Sequence, residues 1–467
     1  MNNRHFELLG AASAVAAALF SANDASSQVA ISTFRAHDPG PRGGPPAAGG
    51  PIAGLTANEL AYFNSGKADF EEVEDFTDGL GPTMNLDSCA GCHAQPASGG
   101  SSPGANPQVA FATKAGAHNG VPPFVVADGP VREARFVRNA DGTNDGGVHA
   151  LYTVAGRGDG NPACVLPQPD FPTAIKAKNV IFRVPTPVFG AGLIEAIPDS
   201  TILANAQANA GTKQPLGIFG RANFSLPGRT LSGQTNNNGN DGTVARFGWK
   251  AQNKSLLLFS GEAYNVEMGV SNELFPTERS ELANCQMATV PNDSPNTEAP
   301  APLDAMTAIS RFAIFQRFLA PPTPSPDMPG GSDSIGRGKS YFAAVGCALC
   351  HTATMKTGNA TVAALRYQDV NLYSDLLVHD MGPGLADGIA QGQASGREFR
   401  TAPLWGLGQR LYFLHDGRSN DLLQTIAAHQ SGTVLSGNAS EANGVVRVFN
   451  TLTERQKQDI LNFLRSL

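Results

Sequence analysis

Long apolar runs are rare in this chain of 467 residues. One such run, from Leu8 to Phe20, follows a short segment that contains Arg4 and precedes small and polar residues. This order is typical of a cleaved secretory signal, and the run is too short to span a bilayer. We therefore predict a signal peptide at residues 1–27 and a periplasmic or secreted protein without a stable membrane span. A retained N-terminal anchor is the alternative.

An excess of positive charge is also missing. The formal net charge is −7 at pH 7, which argues against nucleic acid as a partner. Charged residues make up only 16% of the chain, while 52 Gly and 33 Pro favour long irregular loops over regular helical bundles. We expect a mainly α fold with long irregular loops and short β segments.

Cysteine is scarce, yet four of the six residues fall in two copies of one five-residue pattern. The CxxCH motifs span residues 89–93 and 347–351, and their members are Cys89, Cys92, His93, Cys347, Cys350 and His351. At this composition an accidental CxxCH occurs in roughly one such chain in a thousand. A coincidence of two is therefore negligible.

The chemistry of c-type haem attachment explains this spacing. Two thiols on one helical turn add to the two vinyl groups of a haem, and the adjoining His reaches its iron. A redox CxxC pair or half of a zinc site is the alternative for each motif. We predict two covalently bound haem c groups, with His93 and His351 as iron ligands.

The two remaining cysteines are Cys164 and Cys285. Free thiols are a liability in an oxidising compartment, so we predict a disulfide between them. Two separate buried thiols are the alternative.

The chain divides around the two motifs. Helical patterns over residues 56–75 and 334–345 lead into them, and this repetition favours two divergent copies of one haem-binding unit. We predict further helices over residues 303–319 and 453–467, short strands or extended loops at 149–154 and 180–184, and a loop at 234–242. The predicted units are a signal peptide (1–27), a Pro/Gly-rich extended or disordered tether (28–55), an N-terminal haem c domain (56–302), a connecting helix and linker (303–333), and a C-terminal haem c domain (334–467).

Several blocks of the second half resemble the di-haem oxidoreductase family related to bacterial di-haem cytochrome c peroxidases. They are SDLLVHDMGP at residues 374–383, EFRTAPLWGL at 398–407 and FLHDGR at 413–418, together with FGAGLIEAIP at 189–198 and both CxxCH motifs. The resemblance implies two cytochrome c-like haem domains and reduction of hydrogen peroxide. It also implies small redox proteins as electron donors. A calcium ion between the domains is a further implication, although no acidic cluster in the sequence demonstrates one.

The resemblance implies the remaining ligand of the second haem. In the peroxidases a Met ligand follows the HDG block and a helix, and His429 stands at the matching place. A bis-His iron would be six-coordinate, with a lower potential than a His/Met iron. A surface His is the alternative reading of His429, and His379 and Met381 are competing ligands. His415 would support a propionate or a loop.

For the first haem, the FGWK block at 247–250 and the YNVEMG block at 264–269 resemble the peroxidase stretch around the peroxide-reducing iron. Trp249 would relay electrons between the haems, and Glu267 would be the general acid/base for O–O cleavage. The alternatives are a core Trp, a solvated loop carboxylate and an iron closed by Met268. Peroxidases also carry an inhibitory His soon after the first motif, whereas here none occurs before His118, so that activation mechanism is not expected.

The sequence thus predicts an exported di-haem c-type oxidoreductase that reduces hydrogen peroxide with electrons from small redox proteins. One alternative is a di-haem oxidase that acts on another oxidisable substrate, such as a protein or a polymer. The other is a non-enzymatic electron-transfer cytochrome in which both irons are six-coordinate.

Overall fold

The structure is a computed structural model, and it describes residues 34–144, 156, 158, 160–224, 244–277, 282–286 and 288–467. Its α-helices are α1 Ala57–Phe70, α2 Cys89–Cys92, α3 Gln108–Lys114, α4 Phe171–Lys176, α5 Ala191–Glu195, α6 Asp199–Gln207, α7 Ala210–Lys213, α8 Leu256–Met268, α9 Ala308–Phe318, α10 Ser332–Ala344, α11 Gly382–Leu385, α12 Leu422–Ala428, α13 Asn443–Thr451 and α14 Glu454–Ser466. Single 3₁₀ turns lie at Gln214–Leu216, Cys347–Leu349, Ala363–Leu365 and Leu407–Gln409.

Strands are short and pair two by two. They are β1 Glu133–Phe136, β2 Val180–Arg183, β3 Asn223–Phe224, β4 Val244–Ala245, β5 Met355–Lys356, β6 Asp369–Val370, β7 Val378–Asp380 and β8 Glu398–Arg400. Within the described residues β1 pairs with β2, β3 with β4, β5 with β6 and β7 with β8, each pair antiparallel. The predicted mixture of helices, loops and short β segments is confirmed.

Local sequence accounts for the helix ends. Thr56 and Glu59 form a capping box at the start of α1, and Thr453 forms another with Gln456 at the start of α14. The predicted helices at 303–319 and 334–345 correspond to α9 and α10. The strand predicted at 180–184 is β2, whereas the strand at 149–154, the loop at 234–242 and the signal at 1–27 lie outside the described residues.

Two apolar clusters contain most of the buried side chains. The larger one brings α1, α8 and α9 together through residues such as Phe63, Phe70, Leu256, Phe312 and Phe315. The second packs α14 against α10 and α13, with Phe342, Phe449, Ile460 and Phe463 among its members. The last helix of the chain therefore packs on the helix that leads into the second motif.

Residues 34–55 contact both clusters: Ala36 belongs to the second, and Ala48, Ile52 and Leu55 pack against the larger one. Asp38 forms a buried salt bridge with Arg465 of α14, and Ile52 N–H donates to the Phe318 carbonyl over 2.7 Å. The structure also confirms the disulfide between Cys164 and Cys285. Among the helices it describes, none is long and apolar enough to cross a bilayer.

The crossing of α10 and α14 gives a test of the packing. A Cβ on Gly338 of α10 would lie 1.9 Å from the backbone oxygen of Asp459. We expect Gly338→Ala to lower the free energy of unfolding by about 1–3 kcal/mol, because the helices must separate. On the same helix, a Cβ on Gly336 would contact nothing within 4 Å. Gly336→Ala is the control and should be neutral or stabilising by up to about 1 kcal/mol. Urea denaturation of both variants measures the difference, and equal stabilities would contradict this packing.

Candidate functional site

The first CxxCH motif folds into one helical turn, α2. Ser88 caps it by accepting from the Gly91 N–H over 3.2 Å, and Cys89 and Cys92 lie three positions apart. His93 follows, and its Nδ1 lies 3.0 Å from the Gly100 carbonyl oxygen. If Nδ1 donates to that carbonyl, Nε2 carries the lone pair that an iron requires. Cys89, Cys92 and His93 all line a cavity of about 1250 Å³, part of which is open to solvent.

Burial raises the pKa of both Cys89 and Cys92. A haem attached here would bond to both sulfur atoms, which lie in the wall of the cavity.

Helix α8 forms the opposite wall of the first cavity. Glu267 Oε2 lies 3.6 Å from His93 Nε2, and the Glu267 side chain is 40% exposed. Met268 also lines this cavity, but it is 4% exposed and belongs to the larger apolar cluster. The structure therefore brings Glu267 to the nitrogen of His93 that would face an iron.

The second motif forms the 3₁₀ turn Cys347–Leu349 and lines another cavity, of about 1450 Å³, part of which is also open to solvent. His351 Nδ1 lies 3.0 Å from the Tyr373 carbonyl oxygen, and His429 Nδ1, at the end of α12, lies 2.7 Å from that of Thr425. Burial and the neighbouring His429 lower the pKa of His351 to about 4, and burial lowers the pKa of His429. The cavity therefore contains two neutral imidazoles, each of which can present Nε2 to one iron.

His379 lines the same cavity but is held by carboxylates. Its Nε2 lies 3.0 Å from Asp375 Oδ2, and its Nδ1 lies 2.7 Å from Glu441 Oε2. Burial alone would lower the pKa of His379, but Cys350 and Asp375 raise it well above its ordinary value. Carboxylates engage both ring nitrogens, so this geometry disfavours His379 as a ligand. Met381 is also part of the cavity wall.

Cys350, Asp375 and His379 place three potential metal-ligand atoms within 4.8 Å of one another. A metal ion at this group and a haem at the second motif would both bind the Cys350 sulfur, so the two sites exclude each other. The group includes sulfur and nitrogen, whereas calcium takes oxygen ligands. It therefore gives no support to the calcium expectation.

Trp249 lines both cavities. Its Nε1–H donates to the Val184 carbonyl over 3.1 Å, and its ring meets His415 edge to face at 6.5 Å between centroids. His415 in turn stacks on Phe399 at 4.3 Å, and burial lowers the pKa of His415 to about 4. The Trp249 side chain is therefore shared between the surroundings of the two motifs.

Comparison with known proteins identifies the family. Residues 173–467 match the family model described as "Di-haem oxidoreductase, putative peroxidase". The chain belongs to this family. The match confirms the family resemblance seen in the sequence, and membership of this family implies two haems.

No curated protein matches the chain. Among solved structures, a chain of hydrazine synthase from Kuenenia stuttgartiensis pressurised with xenon matches 96% of this chain and 99% of its own length, at 13% identity and a TM-score of 0.35. A similarity this weak carries no argument about fold or chemistry.

The di-haem oxidoreductase match covers the second motif, His429, Trp249 and Glu267, but it begins after the first motif. The assignment of a haem to residues 89–93 therefore depends on the CAGCH sequence and on the cavity that it lines.

Cationic side chains beside the second cavity provide a test of whether it suits a haem. Arg400 and Arg410 both line it, and burial lowers the pKa of each to about 10. Arg400 Nε donates to the Gly248 carbonyl over 2.9 Å. In the part of the chain that the structure describes, neither guanidinium forms a salt bridge with a carboxylate. A haem carries two propionates, so an apolar cavity with two thiols, two neutral imidazoles and two arginines fits that group.

Sequence reasoning missed a buried charge cluster next to Trp249. Asp387 Oδ2 lies 2.9 Å from Arg183 Nη2, and Asp387 Oδ1 lies 3.0 Å from Lys250 Nζ. Lys250 also donates to the carbonyls of Ser395 and Glu398, each at 2.9 Å. The Asp387 and Lys250 side chains are 0% exposed and that of Arg183 is 2% exposed. We call Arg183, Lys250 and Asp387 the buried triad.

Two further groups in the first cavity were also missed. Glu133 and Arg135 project from β1, where Arg135 Nε donates to Glu133 Oε1 over 3.0 Å. Tyr264 stands one helical turn before Glu267 and donates to the distant Glu74. Residues two positions apart on a strand share a face, so Glu133 and Arg135 lie on the same side of β1. No signal in the sequence indicates that this side faces the first CxxCH motif.

The buried triad gives a stability prediction. Asp387→Asn should lower the free energy of unfolding at pH 7 by about 3–5 kcal/mol, because two buried cations lose their counter-charge. Burial would raise the pKa of Asp387, but Arg183 and Lys250 hold it below its ordinary value. Its stabilisation is therefore present above a pH of about 4 and is lost as the pH falls through the folded-state pKa. The difference between wild type and variant should shrink over that range.

Chemical denaturation at a series of pH values measures this effect. Asp369→Asn is the matched control, because Asp369 pairs with Lys356 at the surface, with side chains 71% and 64% exposed. It should cost at most about 1 kcal/mol. Equal losses for the two variants would contradict the role of the triad.

Proposed function

We propose that the chain is an exported di-haem c-type peroxidase that reduces hydrogen peroxide with electrons from small redox proteins. The observation that carries the proposal is the difference between the two cavities. The first has a carboxylate, Glu267, 3.6 Å from His93 Nε2, whereas the second has two neutral imidazoles, His351 and His429. We infer that the first site stays open to peroxide and that the second is closed for electron transfer.

Haem would be held at each motif through two thioether bonds, to Cys89 and Cys92 and to Cys347 and Cys350. Arg400 and Arg410 would pair with carboxylates of the group at the second motif. The bound haems would supply the iron for electron transfer and peroxide reduction. Export is supported by the Cys164–Cys285 disulfide and by the signal-like sequence at residues 1–27.

In this proposal Trp249 transfers electrons and Glu267 transfers protons. Hydrogen peroxide takes up two electrons and two protons to give two molecules of water. Trp249, which lines both cavities, carries electrons from the second site to the first. Glu267 takes a proton from the peroxide oxygen nearer His93 and delivers it to the leaving oxygen.

The second site is tested by His429→Gly. We expect the second haem to change from six-coordinate and low-spin to high-spin, because one axial nitrogen is removed. Optical and electron paramagnetic resonance (EPR) spectra measure this change. His37→Gly, at an exposed position, is the control. An unchanged spectrum for the second haem in His429→Gly would reject the assignment of the ligand.

The first site is tested by Glu267→Gln. The amide cannot shuttle the proton, so peroxide reduction should slow by about 10²–10⁴-fold while the spectra of both haems are retained. Glu298→Gln, at an exposed position, should leave the rate unchanged. Undiminished turnover in Glu267→Gln would reject the acid/base role. If both haems of the wild type stayed low-spin in the oxidised and half-reduced states and no peroxide were consumed, the protein would be an electron carrier.

A further inference from the structure

A phenol–carboxylate pair lies at the wall of the first cavity. Tyr264 Oη donates to Glu74 Oε1 over 2.7 Å, although the two residues are 190 positions apart. Tyr264 is 5% exposed and Glu74 is 8% exposed. Neither is used by the proposed peroxidase mechanism. A hydrogen bond this short and buried gives the phenolic proton a defined acceptor.

The surroundings make Glu74 a stronger base than an ordinary carboxylate. Burial raises its pKa to about 7, against the lowering effect of the Tyr264 hydrogen bond. Burial also raises the pKa of Tyr264 well above its ordinary value, so the phenol is protonated in the resting protein. Oxidation of a phenol makes it far more acidic, and the proton then moves to a base that is already hydrogen-bonded to it.

Tyr264 is in close contact with the surroundings of the first motif. It lines the same cavity as Cys89 and His93. Its ring meets Phe312 at 5.0 Å, Phe312 meets Phe70 at 6.3 Å, and Phe70 meets His93 at 5.9 Å between centroids. A short aromatic path therefore joins the phenol to the imidazole expected to hold the first iron.

Trp249 has a different proton environment. Its Nε1–H donates to a backbone carbonyl, that of Val184, which is too weak a base to take the proton. An oxidised Trp249 would keep its proton and return its charge quickly, which suits a relay. An oxidised Tyr264 would be neutral, because Glu74 removes its proton, and this suits storage of an oxidising equivalent.

We propose that Tyr264 is a redox-active tyrosine that gives one electron to the peroxide-oxidised first site while its phenolic proton passes to Glu74. This inference rests on the proposed peroxidase function. Hydrogen peroxide is the oxidant and takes two electrons from the first site. Tyr264 gives one of them back when no reduced donor does, so the site stays oxidised by one electron. The phenolic O–H bond breaks, and a new O–H bond forms on the Glu74 carboxylate. An electron from a donor and the proton from Glu74 later restore the phenol.

The haem-loaded protein is mixed with one equivalent of hydrogen peroxide in the absence of donor, frozen rapidly and examined by EPR. In wild-type protein we expect a tyrosyl radical whose signal narrows when the protein is made with ring-deuterated tyrosine. Tyr264→Phe keeps the ring and should lose the signal, whereas Tyr62→Phe, on α1 at the edge of the same apolar cluster, should keep it. Glu74→Gln should lower the radical yield by at least about tenfold, because an amide cannot take the proton. Glu72→Gln, at an exposed neighbouring position, is its control.

Four outcomes overturn the inference. A tyrosyl signal that persists in Tyr264→Phe, or an undiminished yield in Glu74→Gln, would reject the assigned pair. Peroxide turnover by wild type with a reduced donor, without any signal that tyrosine deuteration alters, would reject the inference and leave the peroxidase function standing. Absence of both turnover and radical would reject the two proposals together. If Tyr264→Phe fails to fold, the radical yield of Glu74→Gln still tests the assigned pair, and deuteration of the wild type still tests whether the radical is on a tyrosine.

Discussion

The ion pairs of Asp387 determine how the two cavities meet. One fully buried carboxylate pairs with Arg183 of β2 and with Lys250, the residue after Trp249. Removing three charges from water is costly, and the cost is offset only because each finds opposite charge and further hydrogen bonds, such as those from Lys250 to two backbone carbonyls. Lys250 also lies 3.9 Å above the ring of Phe399, which stacks on His415. The position of Trp249 between the motifs is thereby fixed by charges that cannot rearrange without leaving one of them unpaired.

The two motifs are alike in sequence, but their surroundings differ. Each motif supplies the same atoms, two thiols and an imidazole whose Nδ1 meets a carbonyl oxygen. The difference comes from the segment that faces the imidazole. Helix α8 brings the carboxylate of Glu267 to the first motif, and the end of α12 brings the imidazole of His429 to the second cavity. Because Trp249 belongs to both cavities, the two surroundings form one connected redox unit in our proposal.

Features encoded within a few residues were predictable, and long-range pairings were not. The CxxCH spacing, the capping box of Thr453 and Gln456, and the strand at 180–184 each depend on neighbours in the chain, so the sequence alone indicated them. His429 was reached through the family pattern. The Arg183–Asp387 contact joins residues 204 positions apart, and the sequence around either residue does not identify the other as its partner. Residues 34–55 are likewise Pro/Gly-rich, and nothing in their own sequence indicates the contacts that they make with Arg465 and Phe318.

The same distinction applies to Trp249 and Tyr264, the two side chains to which we assign redox roles. An aromatic residue near a haem is identified by sequence only as Trp or Tyr, but its chemistry depends on what accepts its proton. Trp249 donates to a carbonyl and Tyr264 donates to a carboxylate whose pKa burial raises to about 7. The first acceptor cannot take a proton at neutral pH and the second can. In our proposal Trp249 therefore transfers charge and Tyr264 stores it. The difference comes from their two hydrogen-bond acceptors, which belong to distant parts of the chain.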